Sequence, residues 1–251
     1  MAVGALVGIF APVALVWWLV KKYNVNLSTV LIGAGVFVVF ALVLESLVHQ
    51  LVLKGPSGSA ITGNIWYYAL YGGAMAALSE EGGRFLAMKF LLRKEPASAL
   101  TGVGYGLGHG GAEMILVYGI TMIANLSLSA MINSGQADTL LASAPAGAEE
   151  QMRAQFAALE GLGAGSLLLG LWERVSALIL QVSLSLIMWA AVRRGGKWLW
   201  LVLAAFLLHF FADGITVVLS KSASTLVVEV VVFALAVAVG AIAFMLWKGR
   251  K

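Results

Sequence analysis

Apolar residues in this chain come in long unbroken blocks, not in the alternation of a half-buried strand or the narrow stripe of a surface helix. Crossing the hydrocarbon core as a helix takes about 20 apolar residues. Seven blocks approach or exceed that length, at about 2–20, 27–53, 60–93, 97–133, 164–194, 197–220 and 223–247. Each predicts a helix, because a helix satisfies its own backbone polar groups in lipid. A barrel would show alternating segments of about ten residues, and none is visible. The expected fold is all-α, a polytopic transmembrane bundle of about seven spans, with residues 1–251 as a single integral membrane domain. The first block has no basic residue before it and no small-residue cleavage site after it. It ends in Trp17, Trp18, Lys21 and Lys22, which reads as a retained span and not a signal peptide.

Composition sharpens this picture. The chain is 61% hydrophobic and 11% charged, with a mean hydropathy of +0.95. A soluble domain carries about 25% charged residues, so little soluble mass is expected. The net charge of +4 does not suggest a nucleic-acid partner, because the basic residues gather at the ends of the apolar blocks. There they act as topology anchors beside the lipid bilayer. The chain has no cysteine, so neither a disulfide nor a thiolate metal site is available.

The basic residues also suggest sides. Lys21, Lys22, Lys89, Arg93, Lys94, Arg193, Arg194, Lys197, Lys248, Arg250 and Lys251 fall on one side of the alternation. Only Lys54, Arg153 and Lys221 fall on the other, and Arg84 and Arg174 lie within spans. The positive-inside rule then predicts an outer N-terminus and a cytoplasmic C-terminus. Trp17, Trp18, Trp198, Trp200 and Trp247 fit an interfacial belt. The outer loop 134–163 is polar and Ala-rich, and Ala148 to Leu159 could form an amphipathic interfacial helix or a plain solvated connector.

Ionisable groups at membrane depth change the question from fold to chemistry. A charged side chain at the bilayer centre costs at least ~2.5–3.5 kcal/mol. Yet Glu45, Glu80, Glu81, Glu113, Glu173, Asp213 and Glu229, with His49, His109 and His209, all sit inside the blocks. Three patterns stand out: Glu80-Glu81-Gly82-Gly83-Arg84, His109-Gly110-Gly111-Ala112-Glu113 and His209-Phe210-Phe211-Ala212-Asp213. In the last two, imidazole and carboxylate are four residues apart and share a helix face. At 1.5 Å per residue, His109 and His209 each lie roughly 18 Å from the cytoplasmic edge, Glu80 roughly 20 Å, and Glu113 and Asp213 roughly 24 Å. Groups on three helices thus reach a common level.

Such a cluster suits metal-assisted hydrolysis. Imidazole and carboxylate are ordinary zinc ligands, the metal acidifies a bound water, and a nearby Glu takes its proton. Arg84 could hold one of the Glu pair ionised. The glycines at 102, 104, 106, 108, 110 and 111 permit close backbone approach or an unwound segment lining a cavity. Glu45 with His49, and Glu229, read equally as structural hydrogen-bonding residues. Glu173 with Arg174 reads as an internal ion pair or a support for the site. Gln181, one to two turns past Arg174, stands where another ionisable residue would be expected.

The motifs resemble those of the intramembrane protease superfamily that contains the CAAX-processing and bacteriocin-processing enzymes, over roughly residues 65–215. EEGGR followed by GLGHGGAE looks most like the YhfC-type membrane peptidases, and HFFAD resembles the third motif of the PrsW-type proteases. The Glu pair here is followed by Arg after two residues, where the CAAX enzymes have three, which turns Arg84 by about 100° on the helix. The resemblance implies an intramembrane peptidase of a prokaryotic cytoplasmic membrane, acting on a membrane protein or lipidated peptide. By motif, Glu80 or Glu81 would activate water. His109 and His209 would bind zinc or the water, and Glu113 and Asp213 would ligate the metal or stabilise the oxyanion. The competing expectation is a non-catalytic subunit or scaffold of a membrane complex that reuses the fold. A proton- or ion-coupled carrier would also use such carboxylates, but no internal two-fold repeat is seen. A bis-histidine haem on His109 and His209 is a further alternative.

Overall fold

A computed structural model describes residues 1–145 and 147–248, and every regular element among them is helical. In chain order these are α1 (Ala2–Tyr23), α2 (Leu27–Leu53), α3 (Gly58–Thr62), α4 (Ile65–Leu86), α5 (Ala99–Asn133), α6 (Ala137–Ala142), α7 (Glu149–Glu160), α8 (Ala164–Arg194), α9 (Trp200–Ser222) and α10 (Thr225–Trp247). Six helices, α1, α2, α5, α8, α9 (with the turn Gly196–Leu199 before it) and α10, are long and apolar enough to cross a membrane. The block expected at 60–93 divides into α3, α4 and a π-helical turn Ala87–Leu91, and α4, which bears Glu80, Glu81 and Arg84, is not among the six. Polar caps mark the starts. Asn26 accepts from Ser28 N at 3.1 Å, Asn64 from Trp66 N at 2.9 Å, and Ser98 from Thr101 N at 3.3 Å, each satisfying an amide that the first turn leaves without a partner. Gly195 and Gly196, at φ 61° and 51°, separate α8 from α9 in a conformation that favours glycine.

The glycine run on α5 does not unwind, contrary to one of the two expectations for it. Ala99–Glu113 is a regular helix, and the irregular stretch comes after it, as the π-helical segment Met114–Gly119. The glycines serve contact on two faces. Gly102, Gly106 and Gly110, four apart, face α8: a Cβ on Gly106 would stand 2.7 Å from Val182 Cα. Gly108 faces α2, where a Cβ would lie 1.9 Å from the Val30 carbonyl oxygen. Small residues at four-residue spacing let backbones meet in this way. α5 is thereby clamped between α2 and α8, while α4 lies along α9 and α8 along α10.

The ends of the bundle differ. Arg193 donates to the Arg93 carbonyl at 3.0 Å, Asn26 donates to Glu95 at 3.0 Å, and Arg194 stacks 4.5 Å over Trp198 and 5.6 Å over Trp247. These links gather the basic clusters at one end, the basic end; Arg250 and Lys251 lie outside the described residues. The segment 134–163 caps the opposite, loop end, where α7 forms over most of the stretch expected to be amphipathic and buries Phe156. Packing is lopsided. The apolar core of Met88, Leu92, Tyr105, Leu184, Ile187, Met188, Trp189, Leu201 and Ala205 fills the basic half. Within Ile120–Asn133 of α5 no residue is buried, nor is any in α8 before Ser176 or in α9 after Ala212.

Candidate functional site

The polar groups meet where the solid half of the bundle gives way to the open half. α4 brings Glu80 and Glu81, α5 brings His109 and Glu113, α8 brings Arg174 and Gln181, and α9 brings His209 and Asp213. Glu80, Glu81, Arg84, His109, Gln181 and His209 are all buried.

Two imidazole–carboxylate pairs join the helices. His109 Nε2 lies 2.8 Å from Glu80 Oε2, and His209 Nδ1 lies 2.8 Å from Glu81 Oε1. His209 Nε2 stands 3.5 Å from Asp213 Oδ2, one turn along its own helix. Arg84 donates to Glu81 on α4 and to the Gln181 carbonyl oxygen on α8. The two-residue spacing in EEGGR places Arg84 three positions after Glu81, within reach on the same face. Gln181 is the hub. Its amide nitrogen donates to Glu80 Oε2 at 2.8 Å and to Glu113 Oε2 at 3.0 Å. Arg174 donates to Glu113 Oε1 at 3.2 Å and also pairs with Glu173.

His109 and Glu113 share a helix face, as expected, yet no hydrogen bond or ion pair joins them. The imidazole turns to Glu80 on α4, whereas Glu113, one turn nearer the loop end, turns to Arg174 and Gln181 on α8. Spacing of four fixes the face but not the partner, and buried polar groups take whichever partner the neighbouring helix offers. Gln181 is the residue whose place in the site the sequence reading left open. Its signal was present, an amide in an apolar helix with Ser183 and Ser185 on the following turn. Glu45, His49 and Tyr71 form a separate group, and Glu229 is buried on α10 apart from the two imidazole pairs.

A cavity of about 130 Å³ lies against this cluster, bordered by Glu80, Glu113, Glu173, Arg174, Gln181, His209, Asp213 and Thr216. At about 30 Å³ per water it has room for a few molecules beside acid, base and cationic donors. Glu80 lines it; Glu81 and His109 stand behind.

The donors are chemically suited to zinc, but they are not arranged around one point. Among the described residues no three His, Asp or Glu side chains form a group that could hold a metal ion. Both ring nitrogens of His209 face carboxylates, and Glu80 Oε2 is shared between His109 and Gln181. A zinc ligand set needs lone pairs converging at about 2 Å. As it stands this is a hydrogen-bonded acid–base cluster and does not fit a three-ligand zinc centre.

The sequence profile of a family described as YhfC intramembrane metalloprotease matches residues 5–244. A relative in Bacillus subtilis (strain 168), named uncharacterized membrane protein YhfC, is 33% identical over 195 residues, covering 77% of this chain and 74% of its own length. No solved structure matches.

Proposed function

Because the chain belongs to the YhfC intramembrane metalloprotease family, we propose that it is an intramembrane peptidase in which Glu80 activates water. The carrying observation is the cavity, with Glu80 and Gln181 on its wall and His109 and Arg84 behind that carboxylate. Glu80 takes a proton from a cavity water as the water oxygen attacks the scissile carbonyl carbon. The developing oxyanion faces the Arg174 guanidinium on the cavity wall. The proton then passes to the departing amide nitrogen as the C–N bond breaks, so no net proton is consumed. Arg84 holds Glu81 ionised, and Glu81 with Asp213 fixes the His209 ring. Glu113, fastened to Arg174, sets the position of that guanidinium.

The substrate is a membrane protein or a lipidated peptide, since the cavity opens within helices of membrane-spanning length. We place the chain in a prokaryotic cytoplasmic membrane, with the basic end cytoplasmic and seven spans including α4. The wider kinship with the CAAX-processing and PrsW-type enzymes belongs to this reading. The zinc that the resemblance implies would draw on His109, His209, Glu113 and Asp213, once rearranged, and would supply a Lewis acid to polarise water. No step above is routed through it.

The test is cleavage of single-span reporter fusions in cells. Glu80→Gln is expected to abolish cleavage with expression and thermal stability preserved. Undiminished cleavage by Glu80→Gln and Glu81→Gln alike overturns the proposal. One observation favours a second reading, a non-catalytic membrane subunit: Arg84, Gln181 and Arg174 already satisfy much of the cluster. Co-purification at fixed stoichiometry, with no cleavage in any reporter, would support that reading instead.

A further inference from the structure

Hydrolysis within a membrane needs a route for water, and the two halves of this bundle are unequal candidates. Toward the basic end the site is sealed: Met88, Tyr105, Leu184, Ile187, Met188 and Trp189 are completely buried. Interiors packed at that density exclude water. Toward the loop end the helices carry few buried residues, and the Asp213 side chain keeps 37% of its surface exposed.

Along that open half stands a polar group to which the proposed chemistry gives no work. The Tyr71 hydroxyl lies 2.8 Å from His49 Nδ1, and His49 Nε2 lies 3.1 Å from Glu45 Oε1. None of the three borders the cavity itself; Asp213 and Thr216 form its wall toward the loop end. Depth orders these groups. Counted from the loop-end termini of their helices at 1.5 Å per residue, His49 lies at roughly 6 Å, Tyr71 at 9 Å and Glu45 at 12 Å. On the same measure Asp213 lies at roughly 14 Å, and His209 and Glu80 at 20–22 Å. In depth order the groups pass from α2 to α4, back to α2, and then to α9 and α4. A half-buried Glu–His–Tyr chain is costly against lipid and favourable against water.

We infer that the cavity is hydrated from the loop end alone, through an opening whose polar wall is Tyr71, His49 and Glu45. The inference deepens the peptidase reading by supplying its co-substrate route. Its test does not use cleavage, so its failure and the failure of that reading are separable.

The absence of cysteine makes the test direct. A thiol reacts as its thiolate, which forms only where water reaches it. Single-cysteine variants in sealed vesicles of each orientation are labelled with a membrane-impermeant maleimide. Lys22→Cys reports the basic end, Glu150→Cys the loop end, Leu184→Cys the sealed core and Thr216→Cys the cavity wall. Thr216→Cys should label whenever Glu150→Cys does and never in the orientation that exposes only Lys22→Cys. Adding Glu45→Leu and His49→Leu should lower its labelling to that of Leu184→Cys, while Glu150→Cys in the same double background still labels, showing an intact fold. Labelling of Thr216→Cys from the basic end, or labelling unchanged by the double substitution, overturns the inference.

Discussion

At the scale of single residues, the cluster separates into groups that face water and groups that hold them. Glu80 borders the cavity and Glu81 does not. Glu80→Gln should therefore remove cleavage outright, whereas Glu81→Gln should lower the rate by loosening His209. Reporter cleavage, with folding checked by thermal melting, separates the two; equal and complete loss in both would merge their roles. Gln181 makes the sharper stability prediction, because one amide serves Arg84, Glu80 and Glu113. Gln181→Leu removes three hydrogen bonds at once, although Arg84 keeps Glu81, Glu80 keeps His109 and Glu113 keeps Arg174. Losing one hydrogen bond to a charged group costs about 1.5–3 kcal/mol. The melting temperature in detergent should fall clearly; an unchanged value would mean that water replaces the amide. The acids and imidazoles were legible in the sequence because charge in an apolar block is conspicuous. Gln181 was noticed but not given its role, since an uncharged amide has many ordinary uses in a span. The pairing of His109 with Glu80 depends on which neighbour lies across the interface, which no spacing along one helix encodes.

At the scale of elements, every long helix was legible from block length, and the breaks fell at caps and glycines that local chemistry explains. The division of block 60–93 was not, because α3 is a short loop-end helix beside an apolar run with the same hydropathy signature. Nor was the α5 glycine run, for which composition allows both close contact and unwinding; the arrival of α2 and α8 on two faces decides for contact. That decision is testable within one chemical change. Gly108→Ala would force its methyl against the Val30 carbonyl, and overpacking of this kind costs about 1–3 kcal/mol. Gly82→Ala meets nothing within 4 Å and should leave stability unchanged or slightly raised through better helix propensity. Thermal unfolding of the pair in detergent compares them directly. Equal melting temperatures would mean that α2 and α5 move apart without cost.

At the scale of the whole molecule, the site sits on a boundary between a sealed half and an open half. This asymmetry was hidden in the sequence, because both halves of each helix are apolar and only packing distinguishes them. The same boundary frames the question of metal. The family description names a metalloprotease, while both His209 nitrogens and His109 Nε2 face carboxylates, His109 Nδ1 has no partner, and among the described residues no three ligands converge. A zinc on His209 would have to displace its Glu81 or its Asp213 contact, whereas His109 offers a free Nδ1 and Arg84 keeps its bond to Glu81 in either case. Losing one hydrogen bond to a charged group costs about 1.5–3 kcal/mol, which binding at His209 would have to offset. The arrangement therefore predicts purified protein without equimolar zinc, and cleavage that survives exhaustive chelation. Elemental analysis of the wild type beside His109→Ala decides it. One zinc per chain in the wild type and none in the variant would show that the imidazoles rotate off their carboxylates to ligate.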